Sequence, residues 1–163
     1  QDICFVPDGD YAAFMERWTG KTYAQGDYLD MSGNKIGNHK GAVRYTVGQR
    51  RGLGLPMGER VFVVKKDMEK NTVTVGLDSD IYSTGLVAED VNLIMFESLT
   101  EPMRVTAKTR YRQKEQPAIL YPMENGRAKL IFDEPQRAIT AGQAAVFYSG
   151  DTVVGGGTIS EVL

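Results

Sequence analysis

The densest chemical signal in this chain is a run of cations at alternate positions, Arg104-Val-Thr-Ala-Lys-Thr-Arg-Tyr-Arg-Gln-Lys114. Alternate residues of an extended strand share a face. Arg104, Thr106, Lys108, Arg110, Arg112 and Lys114 are therefore expected in one row, with successive positions ~6.6 Å apart. Val105, Ala107, Thr109 and Tyr111 are left to face a core. Like charges in such a row repel unless acidic side chains oppose them across the sheet or an anion lies along them. A phosphate backbone is such an anion, because Arg and Lys contacts release its counterions. Charge defence of a sheet edge explains the same row without any ligand.

A second cluster runs Arg44-Tyr-Thr-Val-Gly-Gln49-Arg50-Arg51-Gly-Leu-Gly54. Glycines on both sides place Gln49, Arg50 and Arg51 on an exposed, tightly turning segment. These side chains can donate to phosphates, riboses or base edges, and Tyr45 or an Arg plane can stack on a base. The Gly52-x-Gly54 spacing matches neither the dinucleotide fingerprint nor the phosphate loop of nucleotide-binding enzymes. Cys4 is the lone cysteine and His39 the lone histidine. Cys4 lies among apolar and acidic neighbours, which should raise the pKa of its thiol. Neither a zinc site nor a Ser-His-Asp triad can be assembled from these parts, so no metal is expected.

The elements that must hold these residues are read from periodicity. Tyr11, Phe14, Met15 and Trp18 form an apolar stripe at helical spacing after the capping residues Pro7-Asp8-Gly9-Asp10, so a short helix is expected from about Asp10 to Trp18, closed by Gly20, with its aromatics in a core. The period then becomes two. Tyr28–Asp30 and Lys35–Gly37 flank a Ser32-Gly33-Asn34 hairpin turn, and 60–66 and 72–77 flank another. Further strands are expected over 86–94, 104–112, 118–123, 128–132, 144–148 and 152–159, spaced as in an antiparallel barrel or sandwich. Gly155-Gly156-Gly157 marks a bend or bulge inside the last of them. No alternation of strands with long helices supports a doubly wound sheet. The acidic stretch 78–85 is the expected boundary between two small β units.

Composition is that of a globular protein, with 42% hydrophobic and 25% charged residues in a chain of 163. No apolar run approaches the ~20 residues that cross a bilayer, no secretory signal is evident, and a single cysteine suits a reducing, cytoplasmic compartment. Gln1 in place of Met suggests a piece of a longer chain. The net charge of −2 hides segregation: residues 35–66 carry eight cations and one acid, and 102–114 carry five cations and no acid. Acidic stretches flank both, and local fields decide what a surface attracts.

Four stretches, QDICFVPDGDYAAF at 1–14, HKGAVRYTVGQRRGLG at 39–54, TRYRQKEQPA at 109–118 and EPQRAITAGQAAVFYSGDTVVGGGTI at 134–159, give the chain a close resemblance to the tRNA-specific 2-thiouridylases of the MnmA/TrmU type. The resemblance implies the C-terminal portion of a three-part enzyme. Residues 1–8 would be the tail of an ATP-pyrophosphatase domain, 9–82 a small β-rich central tRNA-binding domain with a short N-terminal helix, and 83–163 an antiparallel barrel similar to those of translation factors. In the complete enzyme, ATP and magnesium would serve to adenylate the 2-oxygen of the wobble uridine. A persulfide on the cysteine matching Cys4 would attack the activated carbon and AMP would leave. The phosphate loop, first cysteine and catalytic aspartate of the family are missing from these residues, so the piece alone is expected to be inactive.

The same resemblance makes Gln49, Arg50 and Arg51 central-domain tRNA contacts and Arg110, Arg112 and Lys114 barrel contacts. Gln136, Arg137 and Gln143 are weaker candidates with an equally good structural reading in barrel closure. Expected partners are the wobble-uridine tRNAs for Glu, Gln and Lys and a sulfur-donor protein, with no membrane. Two other readings stay open: a free-standing barrel adaptor that binds RNA or protein without catalysis, and a sulfur relay acting through Cys4 alone.

Overall fold

Period-two patterning leads to a mainly β architecture, described over residues 11–56 and 58–163 by a computed structural model. Two compact units are formed, Gln1–Ile81 and Tyr82–Leu163. Cys4 and the expected capping residues before the helix lie outside the described residues.

In the first unit, helix α1 (Tyr11–Thr19) is closed by Gly20, whose amide donates to the Glu16 carbonyl at 2.9 Å from a left-handed φ of 66°. Contrary to expectation, Trp18 is 78% exposed and stacks on Phe14 with ring centroids 6.3 Å apart. The physical reason is the brevity of a nine-residue helix: Ala12 is buried near its start, while the ring at its far end overhangs solvent. Strands β1 (Gly26–Leu29), β2 (Lys35–His39), β3 (Phe62–Asp67) and β4 (Thr72–Gly76) form one sheet in the order β2-β1-β4-β3. The β1–β2 and β3–β4 pairs are antiparallel hairpins and β1–β4 is parallel. Asp30 builds the first hairpin turn by accepting from the amides of Ser32 (2.9 Å) and Asn34 (2.8 Å).

A core of Tyr28, Ala42, Tyr45, Leu53, Val63, Val73 and Val75 lies beneath this sheet. The Tyr28, Tyr45 and His39 rings meet edge to face, with centroids 5.2 to 5.6 Å apart. His39 is 2% exposed, although its chain neighbours Asn38 and Lys40 are exposed and polar. Its Nδ1 accepts from the Gly41 amide at 3.0 Å, and Nε2 has no partner among the described residues. Asn71 pins the surroundings: its side-chain nitrogen donates to the carbonyls of Ala24 and Gln25, both at 3.1 Å, and its oxygen accepts from the Ala42 amide at 3.0 Å.

The second unit is a closed six-stranded barrel, all antiparallel, in the order β10-β5-β8-β7-β6-β9. Its strands are β5 (Tyr82–Leu93), β6 (Met103–Lys108), β7 (Gln116–Pro122), β8 (Ala128–Arg137), β9 (Ala144–Ser149) and β10 (Thr152–Val162). Inward residues mix large and small, with Leu86, Leu120, Leu130, Phe132 and Phe147 set among Ala88, Ala107, Ala118 and Ala145, as a narrow barrel filled by side chains requires. The glycine run bends β10 as expected, with breaks in register on both sides. A Cβ at Gly155 would stand 2.4 Å from the Asn92 carbonyl oxygen, and one at Gly157 would stand 2.7 Å from that of Glu89.

Gly155→Ala should lower the stability of the barrel by about 1–3 kcal/mol in urea unfolding, since backbone cannot yield to the new methyl; unaltered stability would contradict the close approach. Burial holds the His39 pKa below its ordinary value of 6.5. The folded unit thus binds this proton less readily than the unfolded chain, so stability is full above about pH 6.5 and declines as pH falls from there toward the lowered value. The first unit's urea midpoint should drop between pH 7 and 5, before the carboxylates of Asp30 and Asp67 contribute. His39→Asn, though less stable overall, should flatten that drop.

Candidate nucleic-acid interface

The expected row of five cations on one strand does not form. Strand β6 ends at Lys108, and residues 109–114 turn back toward β7. The turn is made by side chains that alternation alone cannot rank. The Thr109 amide and hydroxyl both donate to the Gln113 side-chain oxygen (3.2 and 3.0 Å), and the Gln113 amide donates to the Arg110 carbonyl at 3.1 Å. The Gln113 side-chain nitrogen reaches Gln136 at 3.1 Å, and Gln136 donates to the Glu134 carbonyl at 2.8 Å. Gln136 is thereby a buried tether.

The two cations that remain on β6 are neutralised. Arg104 makes a two-pronged pair with Asp133, its Nη1 standing 2.7 Å from Oδ1 and its Nη2 bonded to Oδ2. This pair raises the arginine pKa and lowers that of the carboxyl. Lys108 stands 3.1 Å from Glu115 and 5.1 Å from the Tyr148 ring centroid. The Thr106 hydroxyl donates to the same carboxylate at 2.8 Å and, with Lys108, holds its pKa below the usual carboxylate value. Edge defence does not explain the row either, because β6 is paired on both sides, with β7 and β9.

Within the loop the fates diverge. Arg110 Nη2 donates to the Ala138 carbonyl at 2.6 Å, and burial, with the Arg137 charge beside it, lowers the arginine pKa. Arg112 and Lys114 are exposed, and their side chains make no hydrogen bond or ion pair among the described residues. Tyr111, assigned by alternation to the core, is 95% exposed, because the strand that would have turned it inward ends three residues earlier. Gln143 lies in a backbone turn, its amide donating to the Thr140 carbonyl at 3.3 Å and its carbonyl accepting from Ile159 at 2.8 Å.

In the first unit the glycine-flanked segment is a turn, as its composition requires. Gly48, Gly52 and Gly54 adopt left-handed φ values of 84°, 77° and 68°. Gln49 organises that turn: its side-chain oxygen accepts from the Thr46 amide at 3.0 Å and its nitrogen donates to the Arg51 carbonyl at 2.9 Å. Its backbone carbonyl accepts from Val63 at 2.9 Å, tying the turn to β3. Arg50 and Arg51 are exposed, with no side-chain partner among the described residues. Tyr45 is 6% exposed and unavailable for stacking on a base, and Lys66 donates to its carbonyl at 3.0 Å from a partly buried position that lowers the lysine pKa.

Each unit therefore offers a glutamine-braced loop with two exposed cations that have no partner among the described residues: Arg50 and Arg51 on one, Arg112 and Lys114 on the other. Such a surface suits phosphate contacts. Among the described residues no three His, Cys, Asp or Glu side chains gather to hold a metal ion, and no helix is long and apolar enough to cross a membrane.

Comparison with known proteins agrees with this division. Residues 12–77 match the family described as tRNA methyl transferase PRC-barrel domain, and 83–159 match the aminomethyltransferase beta-barrel domain. The chain is similar to a tRNA-specific 2-thiouridylase of Acetivibrio thermocellus, 51% identical over 98% of this chain and 44% of the relative. Relatives of the same name from Halothermothrix orenii (48% identical, 99% of this chain, 45% of the relative) and Treponema denticola (46% identical, 99% of this chain, 46% of the relative) match similarly. The chain thus spans a little under half the length of these relatives.

Gln49→Ala removes both side-chain bonds of its turn and should cost about 1–2 kcal/mol of stability in the first unit. The salt dependence of any RNA binding should keep its slope. Affinity lost at every salt concentration with unchanged stability would instead make Gln49 a direct phosphate ligand.

Proposed function

The chain belongs to the family of tRNA-specific 2-thiouridylases, and from that membership we propose that it is the tRNA-gripping portion of an enzyme that replaces the 2-oxygen of the wobble uridine with sulfur. The observation that carries this reading is the set of exposed cations on side-chain-braced loops, Arg50 and Arg51 in the first unit and Arg112 and Lys114 in the barrel. Phosphate contacts from such loops fix register and orientation without reading sequence. That is the task left to these residues when the chemistry is supplied elsewhere in the enzyme.

In the complete enzyme, ATP and magnesium belong to the part of the relatives that this chain does not span. The Cys4 thiol carries the transferred sulfur as a persulfide, delivered by a sulfur-donor protein. The substrates are wobble-uridine tRNAs for Glu, Gln and Lys, and the compartment is the cytoplasm. Arg110 supports the barrel loop through Ala138 more than it reaches a ligand, and Gln49 supports the other.

The test is binding of this chain to a wobble-uridine tRNA across a salt series, beside Arg112→Glu/Lys114→Glu and the already paired Arg104→Ala. Wild-type affinity should fall steeply with salt. The double variant should flatten the logarithmic slope by about 1–2, near one for each phosphate that is no longer neutralised. Arg104→Ala should change it little. Wild type and double variant equally inert at low salt would overturn the reading.

A further inference from the structure

The strand ends of the first unit enclose an open groove of about 590 Å³. It lies where β1 and β4 finish side by side, between the β1–β2 turn, the segment entering β3 and the residues that follow β4. Its floor is apolar: Val75 belongs to the core, and Ile36 and Val61 pack against that core while staying partly exposed. Met31 and Leu77 stand on its walls, 56% and 46% exposed. Three carboxylates complete the lining, those of Asp30, Glu59 and Asp80. Two of them are held by backbone: Asp30 accepts from the Ser32 and Asn34 amides, and Asp80 accepts from the Leu77 amide at 2.7 Å. The ion pairs of the described residues lie elsewhere, so none of the three is paired with a cation among them.

We propose that this groove docks a protein partner through a segment that presents a lysine or arginine beside an apolar side chain. The inference goes beyond the tRNA-binding reading and does not depend on it. Charge complementarity selects the occupant. Carboxylates on the rim repel the phosphates of RNA and draw a cation in. An apolar floor next to them suits a Lys or Arg side chain, whose methylene stem lies along apolar surface while its head stays polar. Met31 and Leu77 then cover the apolar neighbour, an arrangement in which an apolar contact is framed by charge at the rim. The backbone bonds to Asp30 and Asp80 set both carboxylates before binding, which lowers the ordering cost of the complex. The first unit thus carries exposed cations on the Gln49 turn and acids around this groove, one for phosphate and the other for a basic protein segment.

The test uses the full chain and a panel of fluorescein-labelled octapeptides that set Lys or Arg beside Leu, Met or Phe in a glycine–serine frame. Fluorescence anisotropy reads binding, and peptides with Glu in place of the cation are the control. At least one cationic peptide should bind saturably and its Glu counterpart should not. Met31→Ser/Leu77→Ser should weaken that binding by roughly 5- to 30-fold, the worth of an apolar contact. Glu59→Gln should weaken it by about 2- to 5-fold, an effect that salt removes. All three side chains are exposed, so the urea midpoint should hold in each variant. Affinity for a wobble-uridine tRNA should hold as well, which keeps this outcome separate from that of the tRNA-binding reading. No binding by any cationic peptide, equal binding by the Glu control, or unaltered affinity in the variants would overturn the proposal. Full displacement of the peptide by spermidine would make the groove a small-cation site and overturn it too. So would a concentration-dependent dimer in sedimentation that the same variants abolish, since the occupant would then be a second copy of this chain.

Discussion

Closure of the six-stranded barrel is the constraint on which the second unit depends. Strand β10 must pair with β5 on one side and β9 on the other while bending between them. That bend brings the carbonyl of Asn92 into space that any side chain at Gly155 would occupy. Closure leaves β6 with partners on both sides, so its cations defend no edge. It also confines β6 to Met103–Lys108, and the chain leaves the wall at Thr109 through a loop.

Charge follows from that geometry. Cations on the barrel wall sit opposite neighbours that can carry compensating charge, and Asp133 and Glu115 do so for Arg104 and Lys108. Cations in the loop leave the wall. Arg110 folds back onto a carbonyl, whereas Arg112 and Lys114 extend into water. The split between wall and loop divides the basic run into a stabilising half and a half free to meet a ligand. No property of the individual side chains would have made that division.

The first unit reaches a comparable result by different means. Its core is a cluster of three rings with a neutral histidine among them, and Asn71 ties the approach to β1, the segment after β2 and the β3–β4 turn together. Gln49 turns the adjoining segment and presents Arg50 and Arg51 outward. In both units a glutamine expected at the ligand surface, Gln49 or Gln136, acts one step behind it. An uncharged amide can donate and accept at once, and so suits the bracing of a backbone turn.

The strand pattern, the two hairpins of the first unit, the bend at Gly155–Gly157 and the family are all legible in the order of the residues, because alternation, turn residues and local motifs are properties of neighbouring positions. Both basic segments are legible there too. Where β6 stops is not, and with it goes the placement of Tyr111 in water rather than in the core. The burial of His39, the exposure of Trp18 and the partners of Arg104, Lys108 and Arg110 likewise emerge only on folding. Several of these depend on residues far away in the chain: Asp133 for Arg104, Gln136 for the loop, Tyr28 for His39. Periodicity carries no information about pairings at such separations, and only the closed barrel and the packed sheet bring those residues together.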